Sequence, residues 1–150
     1  MIQSLTIDNL HRTRRLGKMF SDEVKLSYSY DPEKFEAAWG PSMLMDVAKL
    51  FYDTDAAGEI VGFLGASYYP DLYSGVPAAQ LQFWFVDPAH RKGSLSVRLF
   101  AAFEAEAERR GAQKYFVGHK VGVHEDAMSN FFERRGYHLG EFIYWKNLCL

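Results

Sequence analysis

Apolar residues recur along the chain with two different periods, and the period separates helices from strands. Between Asp8 and about Phe20, Leu10, Leu16, Met19 and Phe20 fall on one side of a helix, with Asp8 as the expected N-cap. Asp31, Pro32 and Glu33 then read as an N-cap, a first-turn proline and an acidic residue near the positive end of a helix dipole. This second helix is predicted to run to Trp39 and to stop at Gly40-Pro41. Residues 47–52 and 59–67 read as two strands joined by the turn 53–58, hence a hairpin. Gly62 and Gly65 inside it either weaken the strand or let a neighbour come close. Residues 68–77 read as a loop and 79–86 as a strand. Leu81, Phe83 and Phe85 take one face of that strand; Gln80, Gln82, Trp84 and Val86 take the other. Bulk on both faces puts it centrally in a sheet, and Asp87-Pro88 ends it.

The clearest helical pattern spans 96–110, with Leu99, Phe100, Phe103 and Ala107 on one face and Gly111 at the C′ position. A strand at 114–118 follows. Next come a helix at 126–135, packed by Met128, Phe131 and Phe132 and closed by Gly136, and a last strand at 142–148. The order, two helices, three strands, then helix, strand, helix, strand, predicts an α/β fold: a mixed sheet with helices on both faces. No repeat, linker or low-complexity tract divides it, so residues 1–150 are read as one domain.

Composition narrows the class. The chain has 150 residues, 48% hydrophobic and 16% aromatic, with a formal net charge of −2. That excludes a disordered chain, a collagen-like repeat and a disulfide scaffold. The only cysteine, Cys149, has no partner in the chain, and no Cys/His spacing resembles a zinc site, so no metal is expected. No apolar run reaches a membrane span, and residues 1–10 lack the pattern of a signal peptide. The expectation is a cytoplasmic protein with no membrane partner. Near-neutral charge argues against a dedicated nucleic-acid binder. His11, Arg12, Arg14, Arg15 and Lys18 make the first helix basic, either as a solvated face or as an attraction for an anionic ligand. The tyrosines of residues 68–77 and the last strand suit a homodimer edge or another protein partner.

The candidate chemistry lies in residues 85–96. A central strand ends at Phe85-Val86, a polar loop carries Arg91, Lys92, Gly93 and Ser94, and a helix begins at Leu95-Ser96. Such a junction points backbone N–H groups into one concavity at a positive helix end, which suits a diphosphate. Arg91 and Lys92 add charge, and Gly93 permits close approach. An ordinary strand-to-helix loop has the same outline. No GxxxxGK[ST] motif is present, against a P-loop nucleotidase.

These residues resemble the GNAT N-acetyltransferase superfamily. Its cofactor loop follows a strand ending in Val-x-Pro and reads Arg/Gln-x-x-Gly-x-Gly/Ala. Here Val86-Asp87-Pro88 and Arg91 match in place, and Ser94 and Ser96 stand where the glycines would be. Downstream, Phe132-Glu133-Arg134-Arg135-Gly136-Tyr137 is similar to the family's Tyr-Glu-Lys-x-Gly-Phe/Tyr. A narrower likeness, through Arg91 and Arg98-Leu99, is to GNAT-like proteins of tailed phages; a host cytoplasm or virion would then be the location. The resemblance covers nearly the whole chain. It implies acetyl-coenzyme A as cofactor and transfer of its acetyl group to a primary amine by direct attack. It also implies a splay between the strands ending near Val86 and Gly118. Phe85, Val86 and Phe132 would flank the pantetheine there, with backbone N–H groups near Val86 polarising the thioester carbonyl. The diphosphate would sit on the amides from Arg91 to Ser96.

The chain departs from the family at both usual catalytic positions. Phe132 stands in place of the tyrosine acid, and the strand offers Gln80 and Gln82 but no glutamate base. Tyr137, Ser129 or water are the remaining acids. His119, and then His124 and Glu125, are the remaining bases, since imidazole titrates near neutrality. Glu125 and Asp126 also suit a helix cap. The alternative is a non-catalytic acyl-coenzyme A binding or assembly module with the same fold.

Overall fold

The computed structural model describes residues 1–25, 29–144 and 146. β1 (Gln3–Ser4) is followed by a 3-10 turn (Ile7–Thr13), α1 (Arg14–Val24) and α2 (Pro32–Leu44). Then come β2 (Ala48–Thr54), β3 (Ile60–Pro70), β4 (Pro77–Val86), α3 (Leu95–Arg109), β5 (Lys114–Phe116) and α4 (Glu125–Arg134). The sheet order is β1-β2-β3-β4-β5, antiparallel except for the parallel β4–β5 pair. The fold is the mixed α/β sheet the sequence predicts.

Two apolar clusters sandwich the sheet. On one face Leu95, Leu99, Phe100 and Phe103 of α3 and Phe132 of α4 pack on Leu64, Leu81 and Val86. On the other, Leu10, Leu16, Phe20, Phe35 and Trp39 pack on Leu50, Phe63, Phe83 and Phe85. α3 can lie this close because Gly62 has no side chain; a Cβ there would meet Leu95 Cδ2 at 3.0 Å and Leu99 Cδ1 at 3.1 Å. Gly111, at φ +70°, occupies the C′ position after α3, a conformation glycine adopts without strain.

Several expectations are corrected. The N-cap of the first helical segment is Thr6, whose hydroxyl accepts from Asn9 Nδ2 at 2.9 Å, and Asp8 lies in the first turn. α2 does begin at Asp31, whose carboxylate accepts from the amides of Glu33 and Lys34. It does not stop at Gly40-Pro41, because packing of Phe35, Trp39 and Met43 on the sheet carries it to Leu44. The loop expected at 68–77 shrinks to 71–76, since Tyr68, Tyr69 and Pro70 extend the hairpin opposite Ala79, Ala78 and Pro77. Asp71 closes that short loop by accepting from the Ser74 amide and hydroxyl. β5 has three residues, not five. Of the last predicted strand, Phe142–Tyr144 form no strand and are exposed, while Trp145 and residues 147–148 lie outside the described residues. Apolar alternation shows which residues suit a sheet; it does not provide a partner strand.

Candidate active site

Two features of β4 build the site. The first is a bulge. Gly65 pairs with Phe83 and Ala66 with Leu81, so Gln82 is an extra residue. Leu81 therefore joins Trp84 and Val86 on the α3 face, while Phe83 and Phe85 face α1 and α2. This overturns the expectation that Leu81, Phe83 and Phe85 share a face. The second is a parting of strands. β5 pairs with β4 only at Ala78, Ala79 and Gln80. From Leu81 to Val86, β4 has no partner strand on that side among the described residues, which leaves a gap in the sheet's pairing. The Asp87 amide donates to Val61 O on β3. By the alternation of an antiparallel ladder, the N–H groups of Trp84 and Val86 turn the other way, into the gap.

At the wide end of the gap the chain turns into α3. Asp87 is buried and accepts from the Ala89 amide and from Arg15 of α1, both at 3.0 Å. Ser94 is the N-cap of α3 but makes no side-chain cap. The amides from Lys92 to Val97 have no acceptor among the described residues. The space beside Gly93 is open, with no atom within 4 Å of an added Cβ. Six donors with no acceptor among the described residues thus lie at the positive end of a 15-residue helix. Arg98 in the first turn is tied to Asp53 of β2 at 3.0 Å, which holds the helix in place.

The charged side chains of the loop are partly used inside the protein. Arg91 donates to the Val86 carbonyl at 2.9 Å and to Glu23 of α1 at 2.6 Å, and lies over the Phe85 ring. Lys92 is exposed. Glu23 also takes Nε2 of His124 at 2.9 Å. Burial would raise the Glu23 carboxyl, but the hydrogen bonds from Arg91 and His124 outweigh it and hold it below its ordinary value. Lys120 adds a second tie, donating to the carbonyls of Val24 and Lys25 at the end of α1. The end of α1, the loop after β4 and the loop after β5 are therefore one network across the gap. The other cations of the first helical segment are also answered: Arg12 by the Gly58 carbonyl, Arg14 by Glu36, Arg15 by Asp87 and Lys18 by Asp22.

The histidines separate into two groups. His119, just past β5, lies with Nε2 3.2 Å from Ser129 Oγ on α4, and its ring stacks on Phe132 at 6.4 Å between centroids. Phe132 in turn packs near Trp84 of β4. His119, Ser129 and Phe132 thus form one cluster beside Trp84 of β4. His124 belongs to the Glu23 network instead, at the N-cap of α4 with a left-handed backbone (φ +51°). Glu125 and Asp126 stand in the first turn of α4, where their charge suits the helix dipole. Tyr137 donates to Glu104 on α3 at 3.1 Å; burial and then the Glu104 carboxylate push its phenol well above the ordinary value. Glu104 is nine residues into α3, about 14 Å along the helix from its start. Among the described residues no group of three or more His, Cys, Asp or Glu could hold a metal ion.

A family description, acetyltransferase (GNAT) family, matches residues 7–137. The chain belongs to the GNAT acetyltransferase family. Its class of chemistry is acyl transfer. Solved structures share the fold. A ribosomal-protein-alanine N-acetyltransferase from Brucella melitensis biovar Abortus 2308 is 16% identical, covers 99% of each chain and has a TM-score of 0.75. AAC(6')-Iy, in complex with the bisubstrate analog CoA-S-monomethyl-acetylneamine, is 20% identical, with 99% of this chain and 98% of that chain covered and a TM-score of 0.75. An aminoglycoside acetyltransferase from an uncultured soil metagenomic sample, in complex with sisomicin, is 19% identical over 100% of this chain and 95% of that one, with a TM-score of 0.74. A search of curated protein sequences found no match. No helix among the described residues is long and apolar enough to cross a membrane.

Sequence reasoning for this GNAT chain did not find Glu23, Lys120 or the bulge at Gln82. Glu23 meets Arg91 and His124 across 68 and 101 residues, and no local pattern encodes such a pairing. The two β4 glutamines are held by their neighbours: Tyr69 donates to Gln80 Oε1, and Gln82 Nε2 donates to Ser67, each at 2.7 Å.

Proposed function

We propose that the protein transfers an acetyl group from acetyl-coenzyme A to a primary amine. The observation that carries this reading is the parting of β4 from β5 beyond Gln80, beside the amides of Lys92–Val97, which have no acceptor among the described residues. Both features fit the molecule the family implies. The helix end suits a diphosphate, and an unpaired strand edge suits the amides of a pantetheine arm. When bound, acetyl-coenzyme A supplies an acyl thioester, activated for attack. The Trp84 and Val86 amides would donate to the arm and to the thioester carbonyl, where charge develops. Gly93 leaves room for the phosphates.

The transfer needs a neutral amine, since an ammonium has no lone pair. The nitrogen forms the new C–N bond as the C–S bond breaks. The sulfur leaves with the electron pair and takes up one proton, and the nitrogen gives one up. Phe132 cannot supply the proton that the family's tyrosine would. The His119–Ser129 pair, stacked on Phe132, stands beside that position and is the candidate for proton transfer there. With glutamines on β4, the amine's proton goes to water. Gln82 and Gln80 orient polar groups near the apex of the gap and take no proton themselves.

Incubation with acetyl-coenzyme A and an amine panel, followed by thiol release and mass spectrometry of the products, tests the reading. Product heavier by one acetyl group supports it. Saturable cofactor binding with no acetylated product on any amine favours the alternative, a binding module that has lost the chemistry along with the tyrosine hydroxyl that Phe132 lacks.

A further inference from the structure

Glu23 is the next-to-last residue of α1, and a helix alone does not favour a carboxylate there. The carbonyls at a helix C-terminus carry partial negative charge, and the last turn of α1 holds Asp22 and Glu23 but no basic residue. Asp22 is answered within the helix by Lys18. Glu23 finds its partners outside it: Oε2 accepts from Arg91 at 2.6 Å, and Oε1 lies 2.9 Å from His124 Nε2. These partners belong to the loops that leave the two parted strands, Arg91 after β4 and His124 after β5 at the N-cap of α4. The end of α1 is itself held by Lys120, which donates to the carbonyls of Val24 and Lys25.

Arg91 passes this hold to the end of β4. Val86 pairs with Gly62 of β3, and the next amide, Asp87, donates to Val61 O at 2.9 Å. Alternation along the ladder turns both the N–H and the C=O of Val86 away from β3. On that side Arg91 Nε donates to the Val86 carbonyl at 2.9 Å. The guanidinium lies over the Phe85 ring, and Phe85 packs on Phe20 of α1 at 5.7 Å between centroids. One hydrogen bond from a partly exposed arginine contributes little in water; a carboxylate on the same guanidinium fixes its geometry. The start of α3 is held separately, by the Arg98–Asp53 pair and by Leu95 and Leu99 in the core.

We propose that Glu23 is a positioning residue for acetyl transfer: acting through Arg91, it fixes the Val86 edge against which the thioester carbonyl is held. The inference rests on the acetyl-transfer reading above. Glu23 touches no reacting atom. Its negative charge stands one side chain away from the loop that suits the diphosphate, so it adds nothing to cofactor affinity; it sets where the carbonyl sits. Removing it loosens the Val86 edge and at the same time takes a repelling charge away from the diphosphate.

Glu23→Ala is therefore expected to lower kcat about tenfold while acetyl-coenzyme A affinity, read by calorimetry, is not weakened. A merely structural role would move the two together, since a disordered loop loses affinity as well as rate. Arg91→Ala should lower kcat similarly, and the double variant no further. In the unliganded protein the Arg91 Nε–H, followed by NMR, should exchange with solvent about tenfold faster in Glu23→Ala. Glu23→Gln, which keeps the length and loses the charge, provides the same readouts if the first variant does not fold. Unchanged kcat in a folded variant, matched losses of kcat and affinity, or additive losses in the double variant overturn the proposal and leave acetyl transfer standing. Absence of acetyl-coenzyme A binding by the wild type removes the acetyl-transfer reading, and this inference with it. If the wild type binds the cofactor but consumes no amine, the Arg91 Nε–H exchange decides; equal rates in the wild type and Glu23→Ala overturn the proposal.

Discussion

His119 and Ser129 meet at 3.2 Å over the ring of Phe132, and this contact is the most chemically suggestive in the molecule. A general acid contributes on the order of 100-fold or more to rate. His119→Ala is therefore expected to lower kcat about 100-fold with acetyl-coenzyme A affinity unchanged, measured by steady-state kinetics and calorimetry. Unchanged turnover would remove His119 from the chemistry. Arg91→Glu tests the other end of the gap. It sets a carboxylate against Glu23 and beside the amides at the start of α3, and should weaken acetyl-coenzyme A binding at least tenfold. Wild-type affinity would refute the placement of the diphosphate. His119, Ser129 and Arg91 were legible in the sequence because each sits at a fixed offset from a strand end or helix motif. Glu23 was not, because its partners come from two other loops.

At the scale of elements, the site depends on β4 leaving β5 and bending at Gln82. Gly65 is the counterpart of that bend. A Cβ at this position would lie 2.2 Å from Phe83 Cζ, so the ring lies over the bare backbone. Gly65→Ala should cost about 1–3 kcal/mol, read from urea unfolding, and should shift the Phe83 ring. An unchanged unfolding midpoint would contradict this packing. The hairpin, α3 and α4 were readable because periodicity and capping residues agree over their length. The bulge was not, since an added residue leaves the apolar alternation of 81–86 looking regular while it reverses the face of Leu81. β1 was missed because two residues carry no period.

The whole molecule is fastened by buried charge as well as by its two aromatic clusters. Glu106 of α3 is buried and takes Arg109, Arg110 and Lys49 of β2, and hydrogen bonds led by Arg109 pull its carboxyl down to about 2 from an ordinary 4.5. Its folded value lies below its unfolded one, so its contribution is fully present above pH 4.5 and is lost as pH falls toward 2. Glu106→Gln should lower unfolding free energy by about 3 kcal/mol near neutral pH. Chemical denaturation of both proteins across acidic pH should show the difference shrinking only below about pH 4.5. A constant difference would contradict the assignment. The fold order and the loop from β4 into α3 were visible in the sequence, since each depends on local pattern. The joining of α1 to both loops at the gap depends on tertiary packing and was not.

Calorimetric titration of the purified protein with acetyl-coenzyme A, with coenzyme A and ATP as comparisons, tests the central claim most directly. Saturable binding of both coenzyme A species, with ATP clearly weaker, is the predicted result. Absence of saturable heat with acetyl-coenzyme A would contradict the account, because the parted strands and the bare amides of α3 would then hold no cofactor.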